Sequence, residues 1–255
     1  MSAWSSEQYL KFKNQRTQPA VDLARRLAPR KPESVLDVGC GPGNSTSVLR
    51  EVFPQADILG VDSSEDMIKK AGETYPDMRF MLCDVCTELD KLGGYDVIFS
   101  NACLQWIPDH KNFIPKLMDK LNPGGVLAVQ MPMNGREPLF KTLDDVVKDP
   151  KWNFDSLNIE ANGTLEPDEY FDILYGCSEK FDIWETVYYH NMPNIQAMIE
   201  WVKGTRLRPY LGALDRESAE ELEAEIASRA SSLYRRQADG EIIFRFRRFF
   251  FTAEK

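Results

Sequence analysis

Three glycines spaced two apart, directly after a short apolar run, restrict the fold of this chain more than any other feature. The segment reads Val35-Leu36-Asp37-Val38-Gly39-Cys40-Gly41-Pro42-Gly43-Asn44. An apolar run that breaks into glycines and then becomes helix-compatible is a strand-to-helix turn. Glycines there let the backbone come close to a ligand, because no Cβ stands in the way. Such turns belong to parallel sheets, in which each strand is followed by a crossover helix. Asp37 gives the turn a sign. A carboxylate at the start of the loop suits a ligand carrying positive charge and opposes a pyrophosphate. No Lys followed by Ser or Thr is present in the loop, which sets aside the phosphate-cradling P-loop.

The strand–helix rhythm runs on from this turn. Residues 34–38 read as a buried strand and 45–53 as a helix. Residues 57–61 form the next strand, and Ser63-Ser64-Glu65-Asp66 before Met67-Ile68 is a capping-box-like helix start. Residues 78–82 and 95–100 read as strands and 112–121 as a helix. Asn122-Pro123-Gly124-Gly125 reads as a turn and 126–131 as a fifth strand. Continuous apolar runs separated by helices imply an α/β fold, a doubly wound and mostly parallel Rossmann-like sheet covered on both faces.

After Pro132 the pattern changes. Residues 133–178 are polar and broken by Pro, Gly and Asn, which predicts helices rather than a central strand. Residues 181–189 are strand-like, 195–203 and 217–234 helical, and 242–251 a closing strand. The second of these helices carries Glu220, Glu221, Glu223 and Glu225 and reads as a solvated face. The late strand pair predicts an antiparallel hairpin at the edge of a seven-stranded sheet, with the helical excursion folding over the ligand cleft. A single domain is expected: a helical cap at 1–30, a cofactor-binding half at 31–132, and a substrate half with helical insertions at 133–255.

A net charge of −9 and a pI near 4.9 argue against a nucleic-acid partner, which requires a basic face. No apolar run reaches the roughly 18 residues of a membrane span. The N-terminal Met1-Ser2-Ala3-Trp4 lacks basic and apolar signal regions, which makes the cytoplasm the expected location. Cys83-Asp84-Val85-Cys86 is formally a C-x-x-C, but zinc needs a second pair or nearby histidines, and the two histidines, His110 and His190, are distant in sequence. No metal is expected, and these two cysteines read as small buried side chains at a strand end.

The segment Asp37-Val38-Gly39-Cys40-Gly41-Pro42-Gly43, with Asn44 closing it, resembles the first motif of the class I S-adenosylmethionine-dependent methyltransferases. The resemblance implies S-adenosylmethionine as cofactor and S-adenosylhomocysteine as product. It assigns Asp62, followed by Ser63, to the ribose hydroxyls, Met67 to the adenine face, and Asp84 with Val85 to the adenine amino group. It assigns Asn101 and the stretch to Trp106 to the methionine end. An NAD-binding oxidoreductase is disfavoured, because its third glycine falls three residues after the second, whereas Gly43 follows Gly41 by two.

Further blocks resemble the trans-aconitate methyltransferases within that family. They are Tyr9-x-x-Phe12-x-x-x-Arg16-x-x-Pro19-Ala20, Asn101-Ala102-x-Leu104-Gln105-Trp106-x-Pro108-Asp109-His110, Leu127-Ala128-Val129-Gln130-Met131-Pro132, Tyr188-Tyr189-His190-x-Met192-Pro193 and Leu207-Arg208-Pro209. The implied reaction is methylation of a carboxylate of trans-aconitate, or of a close polycarboxylate, to the monomethyl ester. A carboxylate with a pKa around 4 is already ionised at neutral pH, so no general base is required. Trp106 and His190 are then candidates for shaping the cavity. Arg16, Arg208 and Arg248 are candidate carboxylate clamps, with Tyr188, Tyr189 and His190 as neutral donors. Arg206 and the Arg245/Arg247 pair depart from the resemblance. Methylation of an oxygen or carbon of another small molecule, and a non-catalytic cofactor-binding role, are the alternatives.

Overall fold

The computed structural model describes residues 13–156, 159 and 163–255. The first twelve residues of the expected N-terminal cap, with Tyr9 and Phe12, lie outside the described residues, as does the side chain of Arg16. Strands β1 (Ser34–Val38), β2 (Asp57–Asp62), β3 (Arg79–Leu82), β4 (Tyr95–Asn101), β5 (Leu121–Pro132), β6 (Lys180–Met192) and β7 (Ile242–Glu254) form one sheet. Their order is β3-β2-β1-β4-β5-β7-β6. The first five pair in parallel, with Leu36 of β1 opposite Leu59 of β2 and Ile98 of β4. β7 runs antiparallel to β5, with Val129 opposite Phe251.

The apolar runs are continuous because this sheet is covered on both faces. Val35, Leu36 and Val38 of β1 and Ile98 and Phe99 of β4 have no exposed surface. The accompanying helices are α1 (Lys13–Arg26) before β1 and, between strands, α2 (Asn44–Val52), α3 (Glu65–Thr74), the single turn α4 (Val85–Glu88) and α5 (His110–Asp119). From β1 the chain builds outward through β2 and β3, then returns to the other side of β1 as β4. The strand order therefore reverses at β1/β4. A crevice opens beyond the carboxyl ends of strands at such a point.

By packing, the described residues divide into two units. The larger comprises residues up to 132 together with 163–186 and 248–255, and the smaller comprises 133–162 and 187–247. One boundary between the units falls at the expected 132/133, but 163–186 and 248–255 rejoin the larger unit. From Arg248 onward β7 pairs with β5, and α6 (Pro138–Val147) is followed by α7 (Pro167–Cys177), whose buried Tyr170 stacks on Phe249. Those residues join the larger core. In the smaller unit α6 is joined by α8 (Ile195–Lys203), α9 (Arg208–Leu211) and α10 (Arg216–Ser231). Leu139, Leu143, Met198, Ile199, Leu222 and Ile226 form its apolar centre.

Three local expectations are corrected. The Asn122–Gly125 turn is a bulge inside β5: Leu121 pairs with Tyr95, and pairing resumes at Val126 with Val97. Because Leu121 is already in the sheet, α5 ends at Asp119. Cys83 is buried but Cys86 is exposed, since it lies on the turn of α4 and not on the strand. The charged face of α10 is only partly solvated, because Glu223 and Glu225 are largely covered by ion pairs with Lys203 and Lys151.

Candidate functional site

At the carboxyl end of β1 the chain turns sharply. Gly39 and Cys40 both donate backbone N–H bonds to the Val61 carbonyl of β2, at 2.8 and 3.0 Å. Two glycines here serve different ends. Gly39 has φ +71°, and a Cβ on it would meet Cys103 at 2.3 Å, so close packing demands glycine. Gly41 has φ +54°, and a Cβ on it would meet nothing within 4 Å. That space is the cavity, and Gly41 is part of its wall.

The wall is assembled from six places in the larger unit. The loop supplies Gly39, Cys40, Gly41 and Pro42 but not the expected Gly43, and the start of α2 adds Asn44 and Ser45. The end of β2 brings Asp62 and Ser63, and α3 contributes Met67. The segment after β4 provides Asn101, Ala102, Cys103 and Trp106, while α1 adds Thr17 and Ala20.

Asp62 is held in place by the loop it faces. Its Oδ2 accepts from the Gly41 N–H at 3.0 Å and its Oδ1 from the Ser64 N–H at 2.9 Å. Burial pushes its pKa above the ordinary carboxylate value, an effect these backbone donors reduce. Ser64 caps α3 by accepting from Met67 N–H, which brings Met67 to the wall.

Asp37 plays a different part from the one expected of it. It is fully buried and does not line the cavity. Its Oδ2 accepts the hydroxyls of Ser45 and Thr46, each at 2.7 Å, which fastens the first turn of α2 beneath the loop. Burial pushes its pKa up to about 6, against the lowering effect of those two hydroxyls. A helix N-terminus would ordinarily attract phosphate. Here a fixed carboxylate already occupies it, and the cavity wall contains no basic residue.

Asp84 and Val85 are likewise absent from the wall. The Asp84 carboxylate caps α4 by accepting from Cys86 N–H at 2.9 Å, and Val85 is buried at the start of that turn. Sequence reasoning missed Thr17 and Ser45 and did not assign Ala20 to the cofactor, while Cys40, Pro42, Ala102 and Cys103 lie within the motif stretches it pointed to. Ala102 has φ +56°, an uncommon conformation for a residue with a Cβ. It is held by its own N–H on the Gln130 carbonyl at 2.9 Å and by the Gln105 side chain on its carbonyl at 2.7 Å. Strain of this kind clusters at functional sites.

Beneath the Leu104–Trp106 turn lies His110, buried at the start of α5. Its Nε2 is 2.7 Å from the Leu104 carbonyl, which can only accept, so that nitrogen carries the proton. Its Nδ1 then accepts from the Tyr170 hydroxyl at 2.7 Å. Both ring nitrogens are engaged in holding the turn that carries Trp106.

The remaining sequence candidates fall elsewhere. Tyr188 and His190 share one face of β6, with rings stacked 6.4 Å apart, and His190 also stacks on Trp201 at 4.7 Å. Tyr189 points to the other face, is 60% exposed, and lies under the Arg245 guanidinium. Arg208 starts α9, where burial lowers its pKa. Tyr188, Tyr189, His190 and Arg208 all belong to the smaller unit. Arg248 is buried on β7 opposite Pro132 and belongs to the larger one.

The cavity's chemistry is specific. It offers a carboxylate on one side and apolar surface from Met67, Ala20 and Trp106. Two buried amide atoms, Asn44 Nδ2 and Asn101 Oδ1, have no protein partner among the described residues. These groups fit a ligand with hydroxyls, a cationic centre and an apolar face, and the open side of Gly41 leaves room for its approach. Among the described residues no group of three or more His, Cys, Asp or Glu could hold a metal ion, and no helix is long and apolar enough to cross a membrane.

Residues 12–156 match a family described as a methyltransferase domain. The trans-aconitate 2-methyltransferase of Rhodopseudomonas palustris (strain BisB5) is 41% identical over 257 residues, covering 100% of both chains. That of Afipia carboxidovorans (strain ATCC 49405 / DSM 1227 / KCTC 32145 / OM5) is 40% identical over 252 residues, covering 98% of both. Among solved structures, the YcgJ protein from Bacillus subtilis superposes with a TM-score of 0.62 at 14% identity, over 93% of this chain and 98% of that one. That last likeness is one of fold.

Proposed function

Because this chain belongs to the trans-aconitate 2-methyltransferase family, within the class I S-adenosylmethionine-dependent methyltransferases, we propose that it methylates one carboxylate of trans-aconitate, or of a close polycarboxylate, to give the monomethyl ester. The observation that carries this reading is the extent of the likeness. An identity of 41% runs the full length of the chain, through the smaller unit as well as the glycine loop. A glycine loop alone accompanies many methyl acceptors.

When bound, S-adenosylmethionine supplies a methyl group on a sulfonium centre and leaves as S-adenosylhomocysteine. On this reading Asp62 accepts the ribose hydroxyls, and Met67 with Ala20 packs on the apolar face. Asn44 and Asn101 offer the orphaned amide atoms to polar groups. Asp37 acts through the loop it fastens and through its charge, which favours a cation above it. Asp84 and Val85 remain proposed for the adenine end. Trp106, on a turn braced by His110, keeps water from the transfer path.

The acceptor carboxylate needs no base, since its pKa of around 4 leaves it ionised at neutral pH. The protein's contribution is alignment and exclusion of water, and orientation of this kind supplies about 7–11 kcal/mol in favourable cases. The non-reacting carboxylates are proposed to meet Arg208, with Arg16 and Arg248 as further cations and Tyr188, Tyr189 and His190 as neutral donors. The test is incubation of the enzyme with S-adenosylmethionine and trans-aconitate, followed by product mass analysis. A gain of one methyl, labile to base as an ester is, supports the proposal. A methylated product stable to base, or none from any polycarboxylate, refutes it.

A further inference from the structure

The smaller unit contains a second cavity, of about 410 Å³, that shares no residue with the one described above. Four arginines line it, Arg136, Arg235, Arg245 and Arg247, against one carboxylate, Glu137. In a chain of net charge −9 such a gathering of positive charge attracts small anions. The strand period produces half of it. Arg245 and Arg247 are two residues apart on β7 and share a face with Ile243, while the alternate Phe244 and Phe246 are buried.

The surroundings select the kind of anion. The Tyr234 hydroxyl donates to Glu137 and accepts from the Leu139 N–H at 2.8 Å. These groups occupy the start of α6, so that helix end offers no cradle for a phosphate. Tyr234 is also the one aromatic residue in the wall among the described residues, and its hydroxyl ties it to the start of α6. Pro138, Val187 and Ile243 supply apolar wall between the cations. Arginine forks around apolar surface suit several carboxylates carried on a short carbon chain.

Asn134 adds a neutral donor. It is 6% exposed and lines the cavity, and its Oδ1 accepts from the Arg247 N–H at 2.6 Å. That bond fixes the amide, and its buried Nδ2 has no protein partner among the described residues.

We propose that this cavity is a binding site for small polycarboxylate anions. The inference concerns binding to the smaller unit and does not depend on which molecule is methylated. It is tested by titration calorimetry of the full chain with citrate, succinate and inorganic phosphate at fixed ionic strength. The R136Q/R245Q double variant removes two exposed guanidinium groups, and S-adenosylhomocysteine affinity reports that it is folded. R235Q, at a third exposed position, provides an independent variant. Citrate should bind more tightly than succinate or phosphate, and the double variant should weaken it about ten-fold or more with S-adenosylhomocysteine affinity unchanged. R235Q should weaken citrate in the same direction. Citrate affinity within two-fold of wild type in the double variant would overturn the proposal. So would an absence of citrate binding to the wild type, or phosphate binding as tightly as citrate.

Discussion

Replacing Asp62 by alanine separates a ligand-binding carboxylate from a loop-fastening one. The carboxylate accepts from Gly41 N–H at 3.0 Å and Ser64 N–H at 2.9 Å, so the variant strands two backbone donors. Asp62 is half-buried and water can reach part of the gap, so the loss of stability is about 1.5–3 kcal/mol, the worth of one bond to a charged acceptor. The proposed ribose contacts add two more such bonds. At the lower end of their range they total about 3 kcal/mol, which is roughly a 150-fold loss of affinity. Titration calorimetry with S-adenosylhomocysteine measures the second effect and thermal unfolding of the ligand-free protein measures the first. Asp62→Asn keeps an oxygen for Ser64 N–H and loses the other acceptor, so it should fall between. An Asp62→Ala protein that melts earlier yet binds S-adenosylhomocysteine within three-fold of wild type would refute the reasoning. Asp62 would then be a scaffold for the loop and nothing more.

Other perturbations probe separate parts of the account. Gly39→Ala forces a Cβ to within 2.3 Å of Cys103, and overpacking with left-handed strain should cost about 2–5 kcal/mol of stability. Gly41→Ala should cost only the strain of its φ, about 1–2 kcal/mol, while weakening cofactor binding more; equal melting temperatures for the two variants would contradict this. Asp37 holds its proton in the folded state up to about pH 6, against an ordinary 3.8. The folded protein therefore binds the extra proton between these values, and the stability this gives is present below about pH 4 and lost as pH rises through 6, by about 3 kcal/mol. Asp37→Asn should flatten that slope in urea unfolding, and an unchanged slope would reject the assignment. Tyr170→Phe removes the donor to His110 Nδ1 and should destabilise by about 1–3 kcal/mol, read from denaturant midpoints; a neutral effect would mean that the hydroxyl does not brace the turn. Arg208→Ala should raise the KM for trans-aconitate and leave S-adenosylhomocysteine affinity intact, and a wild-type KM would remove Arg208 from the acceptor site.

The parts of this molecule that local signals encode were legible in the sequence. Apolar runs and glycine spacing located β1 to β5 within a few residues, and Asp62, Ser63, Met67, Asn101 and Trp106 line one cavity with the glycine loop. What depends on packing was not legible. Thr17 and Ala20 reach the cavity because of where α1 lies, although the Arg16-x-x-Pro19-Ala20 block pointed to that helix. Asp37 and Asp84 carry the right charge at the right places, yet one oxygen of each is taken by hydroxyls or a backbone N–H of the following helix, which spacing cannot reveal. The left-handed conformation of Ala102 gave no signal, since alanine carries none of the residue types that favour it. The two units interleave along the chain, because 180–186 of β6 and 248–254 of β7 belong to the larger unit and the rest of each strand to the smaller. Composition shows no break at those points. The Arg245/Arg247 pair departs from the resemblance and received no role from it, and only the folded strand groups these two with Arg136 and Arg235.

The central claim is tested most directly by kcat/KM for S-adenosylhomocysteine formation with trans-aconitate, cis-aconitate, isocitrate, citrate and itaconate as competing acceptors. A clear preference for trans-aconitate, with an ester product carrying one added methyl, is the predicted result. Equal or absent turnover across the set, with S-adenosylmethionine still bound, would contradict it and leave a methyltransferase whose acceptor is of another class.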